Sequence, residues 1–289
     1  MIKFGPSGNC DWFYENHKST LEVAKWLSEI GLDAYEYPFT RGVNLSDENA
    51  KKLGEEFKKY NIEVTVHAPY YINLANPDDM MIAKSFGYLL DSVLKMRLLG
   101  CKKLVFHPGS MMKLTREQAQ ENIKKNLKAF VELLKEKGIN DVYLCPETMG
   151  KHGQMGTVEE IAELCTIDEM IIPTLDFGHI NSFCGGSLKS PKDYEEIFLK
   201  LKAKLGDRFN NVHIHFSKIE YSAKGEVKHL RFDTDTENYG PCFEDLIPVL
   251  KKYNIQGEVI CESHGSQSRD ALIMKQKFYE NIWFFVKYM

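Results

Sequence analysis

Eight side chains of metal-ligating type stand where β-type runs of this 289-residue sequence give way to loops: His67, His107, Glu147, Asp176, His179, His213, His229 and Glu262. Taken singly, each has an ordinary explanation. A strand-end histidine is most often a hydrogen-bonded structural residue, and a strand-end carboxylate is usually solvated or paired with a lysine. Asp176 and His179, in "TLDFGHINSF", fit simple turn chemistry, because Asp leaves strands by bonding nearby backbone and Gly178 permits a turn. The set is harder to accommodate than its members. Imidazoles and carboxylates gathered in one place without a cation would cost on the order of several kcal/mol per unpaired charge. Divalent ions supply the missing charge. Ligation by His and carboxylate without thiolate suits Zn²⁺, Mn²⁺ or Fe²⁺. The ligands outnumber what one tetrahedral ion needs, so a glutamate is expected to bridge two ions.

A site of that kind needs a scaffold that delivers one ligand from each of many strands. Short β-branched or aromatic runs fall at residues 2–5, 33–37, 63–68, 103–107, 142–147, 170–176, 211–216 and 258–262. Between them lie amphipathic stretches with helix punctuation, such as "SDENAKKLGEEFKKYN" with its Ser/Asp start and "TREQAQENIKKNLKAFVELLKEKG" with a Thr cap and a Gly stop. The last helix is expected over 268–287. Eight strand-helix units of about 36 residues each predict one α/β domain over 1–289, a (β/α)₈ TIM barrel, with a doubly wound open sheet as the alternative. In a barrel the long polar loops "HPGSMM", "ETMGKHGQMGT", "GHINSFCGGSLKSP" and 217–241 all emerge at the C-terminal ends of the strands, where active sites are built. The third to the eighth strand then each bring a ligand to one face.

Composition narrows the class further. Hydrophobic residues make up 43% and charged residues 27%, as in ordinary globular chains. The N-terminus turns polar after four residues and no apolar run is long enough to span a bilayer, so a cytoplasmic protein without a membrane partner is expected. A net charge of −4 does not advertise a polyanionic partner, although a local cleft can still bind one. The seven cysteines are scattered without a C-x-x-C pair and read as reduced thiols; Cys145 and Cys261, beside Glu147 and Glu262, are expected to pack and not to ligate. A nucleophile elbow, a Walker loop and a dinucleotide fingerprint are all missing from the sequence.

The segments "VHAPYYINLANP", "FHPGS", "PETMGKHGQMG", "LDFGHI", "VHIHFSK" and "ICESHG" occur in the order and spacing of the endonuclease IV family of apurinic/apyrimidinic endonucleases, within the xylose isomerase-like barrels, which the chain resembles over nearly its full length. The resemblance implies a monomeric hydrolase of DNA base excision repair that cleaves the phosphodiester 5′ to an abasic site in double-stranded DNA. It also implies two or three Zn²⁺ ions, with Mn²⁺ or Fe²⁺ taking part of the set. His67, His107 and a bridging, catalytic Glu147 would hold one ion; Glu147, Asp176, His213 and Glu262 a second; His179 and His229 a third. Counting back from Lys218 favours His213 over His215. Tyr70 matches the family's DNA-contacting tyrosine, and Tyr71 and Arg41 join it as expected DNA contacts.

Two departures stand out. The Asp that completes the family's third ion two residues before its last His is here Val227, with Glu226 adjacent and Asp233 beyond; and the loop after the second strand, "YPFTRGVNLS", has no Trp and a single basic residue, Arg41. The alternative within the same barrel class is a sugar isomerase or ketose 3-epimerase, which would use Glu147, Asp176, His213 and Glu262 around one Mn²⁺ or Co²⁺. That enzyme has no use for His67 and His107. A metal-bound barrel without catalysis is the third reading.

Overall fold

Alternation of side chains along each strand explains both faces of the sheet. In His213-Ile214-His215-Phe216, Ile214 and Phe216 join the main apolar core, while the two histidines turn the other way, towards Glu36 and Glu258. The same alternation puts Leu104, Phe106 and Leu144 in that core and leaves Val105, Cys145 and Ile172 as a separate small cluster on the inner side.

The computed structural model describes residues 2–233 and 238–286. Among these residues eight parallel strands alternate with eight main helices. The strands are β1 (Lys3–Pro6), β2 (Ala34–Pro38), β3 (Glu63–His67), β4 (Lys103–Phe106), β5 (Tyr143–Pro146), β6 (Thr174–Asp176), β7 (His213–Phe216) and β8 (Glu258–Cys261). The helices are α1 (Val23–Ile30), α2 (Asp47–Lys59), α3 (Asp79–Leu98), α4 (Arg116–Glu136), α5 (Val158–Leu164), α6 (Pro191–Leu205), α7 (Phe243–Lys252) and α8 (Gln267–Val286). Strands β2 to β5 pair in order, as do β6, β7, β8 and β1. Parallel bridges Ser7↔Glu36, Leu144↔Ile171 and Glu147↔Thr174 join the two halves into a ring. The (β/α)₈ barrel is therefore the fold, and the open sheet is set aside. Closure depends on Gly5, because a Cβ there would stand 1.8 Å from the carbonyl oxygen of Ala34.

Three differences from the sequence reading have simple causes. Strand β6 is shorter than 170–176, since Pro173 has no N–H to give and Ile171 makes only one bridge. The loop after β6 contains a short helix, Phe177–Phe183, whose first turn is capped by Asp176 accepting from the His179 amide at 2.7 Å. The loop after β7 is a β-hairpin, Lys218–Ser222 against Gly225–Leu230. Residue 287 of the expected last helix and 234–237 of this loop lie outside the described residues. The loops after β4 and β5 clip together as a ribbon, Gly109–Ser110 with Gln154–Met155.

Candidate metal centre

Glu147 follows β5 directly and is wholly buried, with histidines around both of its oxygens. His67 Nε2 and His107 Nε2 lie 3.1 and 3.2 Å from Oε2; His215 Nδ1 and His179 Nδ1 lie 3.1 and 3.4 Å from Oε1. The ring orientations are set from behind. His67 Nδ1 is 2.8 Å from the carbonyl of Ala68 and His179 Nδ1 is 2.9 Å from that of Thr148. A carbonyl only accepts, so each Nδ1 donates, and in the neutral ring Nε2 is left to face the centre.

Three groups of candidate ligand atoms, each within 4.8 Å of one another, occupy the mouth: His67, His107 and Glu147; Glu147, Asp176, His215 and Glu262; and His179, Glu226 and His229. The sequence-predicted residues thus come together, with one correction. His215, not His213, joins Glu147, Asp176 and Glu262. Both histidines face inward, but β7 pairs with β6 so that Asp176 is level with His215 while His213 is level with Thr174, one layer deeper. His213 lies instead against Glu36 at 3.0 Å and Glu258 at 3.3 Å. Counting back from Lys218 could not see this layer; the "HIH" alternation, which puts two imidazoles on one face, was the available signal.

Glu226 stands where the sequence has no family aspartate, and a bulge is the reason. Along the hairpin His229 pairs with Ile219 and Lys228 with Glu220, but Tyr221 pairs with Glu226, so Val227 is skipped. The extra residue turns half-exposed Val227 away and brings Glu226 to the face of His229. Glu226 Oε2 is then 3.5 Å from His179 Nε2 and Oε1 is 3.9 Å from His229 Nε2. Ser217 Oγ bonds His229 Nδ1 at 2.7 Å. Gly150 makes room, since a Cβ there would come within 2.9 Å of Glu226 Cβ and 2.7 Å of Ser182 Oγ.

The electrostatics are those of carboxylates and imidazoles buried against one another. Burial pushes Glu262 up to about 8, with His215 opposing the shift and the carboxylates of Glu147, Asp176 and Glu36 adding to it. Burial opposes ionisation of Glu147 as well, yet its histidines hold it well below the usual carboxylate range. The same carboxylate, against the effect of burial, pushes His67 up to about 9. Burial and neighbouring imidazoles lower His107 and His229. Asp176 Oδ2 is wholly buried and has no hydrogen-bond partner among the described residues; its nearest imidazole nitrogen, His179 Nδ1, has already given its proton to Thr148. An orphaned carboxylate oxygen among three sets of nitrogen and oxygen donors fits hard or borderline divalent ions. The thiols do not enter. Cys145 and Cys261 are buried, and burial pushes Cys261 up to about 12.

The mouth is a cleft of about 500 Å³ lined by His67, His107, Glu147, His179, Glu226, His229 and Glu262, with Tyr70, Lys151, Gln154 and Gln267 at its walls. A larger concavity of about 760 Å³, by Tyr239 and Lys277, contains none of these ligands, so volume alone does not mark the site. Tyr70 and Tyr71 are half-exposed with their hydroxyls 3.4 Å apart, and the Tyr71 hydroxyl and Arg41 both hold the Tyr70 phenol below its usual range. Arg41 is exposed beside Thr40, whose φ of +23° is unusual for a β-branched residue. Of the expected DNA contacts, Tyr70 therefore lines the cleft, and Arg41 and Tyr71 flank Tyr70.

Fold and site together define a class: residues 24–280 match the model of the xylose isomerase-like TIM barrel family, and the chain belongs to it. An uncharacterized protein of Methanocaldococcus jannaschii is 33% identical over 86% of this chain and 88% of its own length. A probable endonuclease 4 of Staphylococcus epidermidis is 31% identical over 62% of this chain and 60% of its own length, so the match spans less than two thirds of that relative. Among solved structures, a D-tagatose 3-epimerase-like protein superposes with a TM-score of 0.72 at 23% identity over 99% of both chains. Endonuclease IV of Thermus thermophilus does so at 0.69 and 19%, over 96% of this chain and 99% of its own. Both likenesses are of fold. No helix among the described residues is long and apolar enough to cross a membrane.

Proposed function

We propose that this protein is a metal-dependent endonuclease acting on abasic sites in double-stranded DNA, with His67, His107, Glu147, Asp176, His179, His215, Glu226, His229 and Glu262 as metal ligands. The observation that carries the reading is that both Glu147 oxygens are engaged: His67 and His107 meet Oε2 while His215 meets Oε1, so that this one carboxylate would serve two groups of ligands. Similarity to proteins named probable endonuclease 4 supports it.

Divalent ions held there would supply Lewis acidity, lowering the pKa of water and neutralising charge on a phosphoryl group. The chain's own residues do the rest. Glu147 sets the spacing of the ligand groups. Lys151, at the cleft wall, offers a cation to a phosphate. An abasic nucleotide reaches such a cleft only by leaving the helix stack, and Tyr70, Tyr71 and Arg41 stand at the rim to fill the gap.

One observation favours a second reading. Glu147, Asp176, His215 and Glu262 form a quartet that by itself satisfies one ion, as a ketose 3-epimerase requires, with two glutamates to exchange a proton beside a carbonyl. Such an enzyme leaves His67 and His107 without a task. The deciding experiment incubates the zinc-loaded protein with a duplex bearing one abasic analogue and, separately, with ketohexoses. Nicking 5′ to the lesion is expected; ketose turnover without nicking would replace the first reading by the second.

A further inference from the structure

The barrel interior is not the stack of branched apolar layers usual for this fold. A line of charged and polar side chains runs from the N-terminal floor to the metal-type mouth. Lys103, at the start of β4, is 2.7 Å from Glu258 at the start of β8; Glu258 is 3.3 Å from His213 Nδ1; His213 Nε2 is 3.0 Å from Glu36 Oε2; and Glu36 Oε2 is 3.1 Å from His215 Nε2. Glu36 and both histidines are wholly buried. Ser7 Oγ and Thr65 Oγ1 donate to the Glu36 carboxylate at 3.2 and 3.1 Å.

Glu36, His213 and His215 lie close enough to be taken for another cation site. Hydrogen bonding argues otherwise. Among the described residues every side-chain polar atom of the three has a partner, whereas Asp176 Oδ2 at the mouth has none. The interior group is satisfied by protons; the mouth is not.

We propose that Glu36 is a positioning residue for the metal centre: its carboxylate takes the Nε2–H of His215, which leaves Nδ1, the nitrogen facing Glu147 and Glu262, as the one that gives up its proton to a metal ion, while His213, Glu258 and Lys103 hold Glu36 in place from below. An imidazole with two usable nitrogens ligates only with the one its outer partner leaves bare, and such partners are worth about 10–100-fold in metal affinity. The sequence supports the assignment on its own terms. Glu36 sits between Tyr35 and Tyr37 in a strand whose alternate positions face the apolar core, where a carboxylate has no place unless something inside the barrel needs it.

The inference rests on the mouth being a metal centre, and its test separates the two. Long-range ¹⁵N NMR of metal-free wild-type protein is expected to show a proton on His215 Nε2; a bare Nε2 would overturn the proposal whatever the metal does. Co²⁺ titration followed by absorption is then run on wild-type and Glu36→Gln protein, the substitution keeping the volume and removing the charge. One equivalent should weaken by about tenfold or more with the others unchanged. Equal affinities would overturn the positioning role, and wild-type protein that takes up no Co²⁺ would overturn the metal centre itself.

Discussion

Glu147 is the residue on which the centre turns, since its two oxygens touch histidines from four different segments. Glu147→Gln keeps the shape and removes the shared charge. Outer partners alone are worth about 10–100-fold, so loss of a shared ligand should reduce nicking by about 100-fold or more with the thermal midpoint of the metal-free protein not lowered by more than a few degrees. Paired nicking assays and calorimetry read both, and retained activity would remove the bridging role. The titrations give a second expectation. Glu262, at about 8 against 4.5, and His67, at about 9 against 6.5, hold their protons more tightly folded than unfolded. The stability each contributes is complete below its unfolded value and is lost as pH rises through its folded one. Metal-free protein should therefore melt progressively lower as pH goes from 6.5 to 9, while excess Zn²⁺, which displaces the same protons, should stabilise more at each step. Calorimetry across that range decides it; a rising metal-free midpoint would contradict the assignment.

The hairpin after β7 is the element that adapts the site. Its bulge at Val227 puts Glu226 and His229, at i and i+3, on one face. Glu226→Ala should cost one metal equivalent by elemental analysis and leave the remaining equivalents unchanged; full stoichiometry would show that the hairpin contributes no ligand. This element also marks how far the sequence could be read. All eight strands were legible because β-branched runs between turn residues require nothing beyond local pattern. The bulge was not, because pairing register depends on the partner strand. Choosing between His213 and His215 failed for the same reason: both obey the same alternation, and only the pairing of Asp176 with His215 says which layer reaches the mouth. Glu36 was passed over because it ends no strand, although its place between two aromatic residues already made it anomalous.

For the molecule as a whole, the barrel gathers residues 67 to 262 at one mouth and puts a positioning line beneath them, so the chemistry is set by inward-facing residues and the partner by the rim. With a net charge of −4 the surface as a whole does not attract DNA, and on the proposed function binding would come from a few local cations such as Arg41 and Lys151. Affinity for abasic duplex should accordingly fall with rising salt with a shallow slope, of about one to two on a logarithmic plot, because few counterions are released. Fluorescence anisotropy against salt measures it, and a flat response would point to a small neutral substrate. The central claim, that these imidazoles and carboxylates gather around shared cations, is tested most directly by elemental analysis of protein purified without added metal or chelator. Two or three equivalents of zinc, or of zinc with manganese or iron, are expected per chain; none, or a single equivalent, would contradict it.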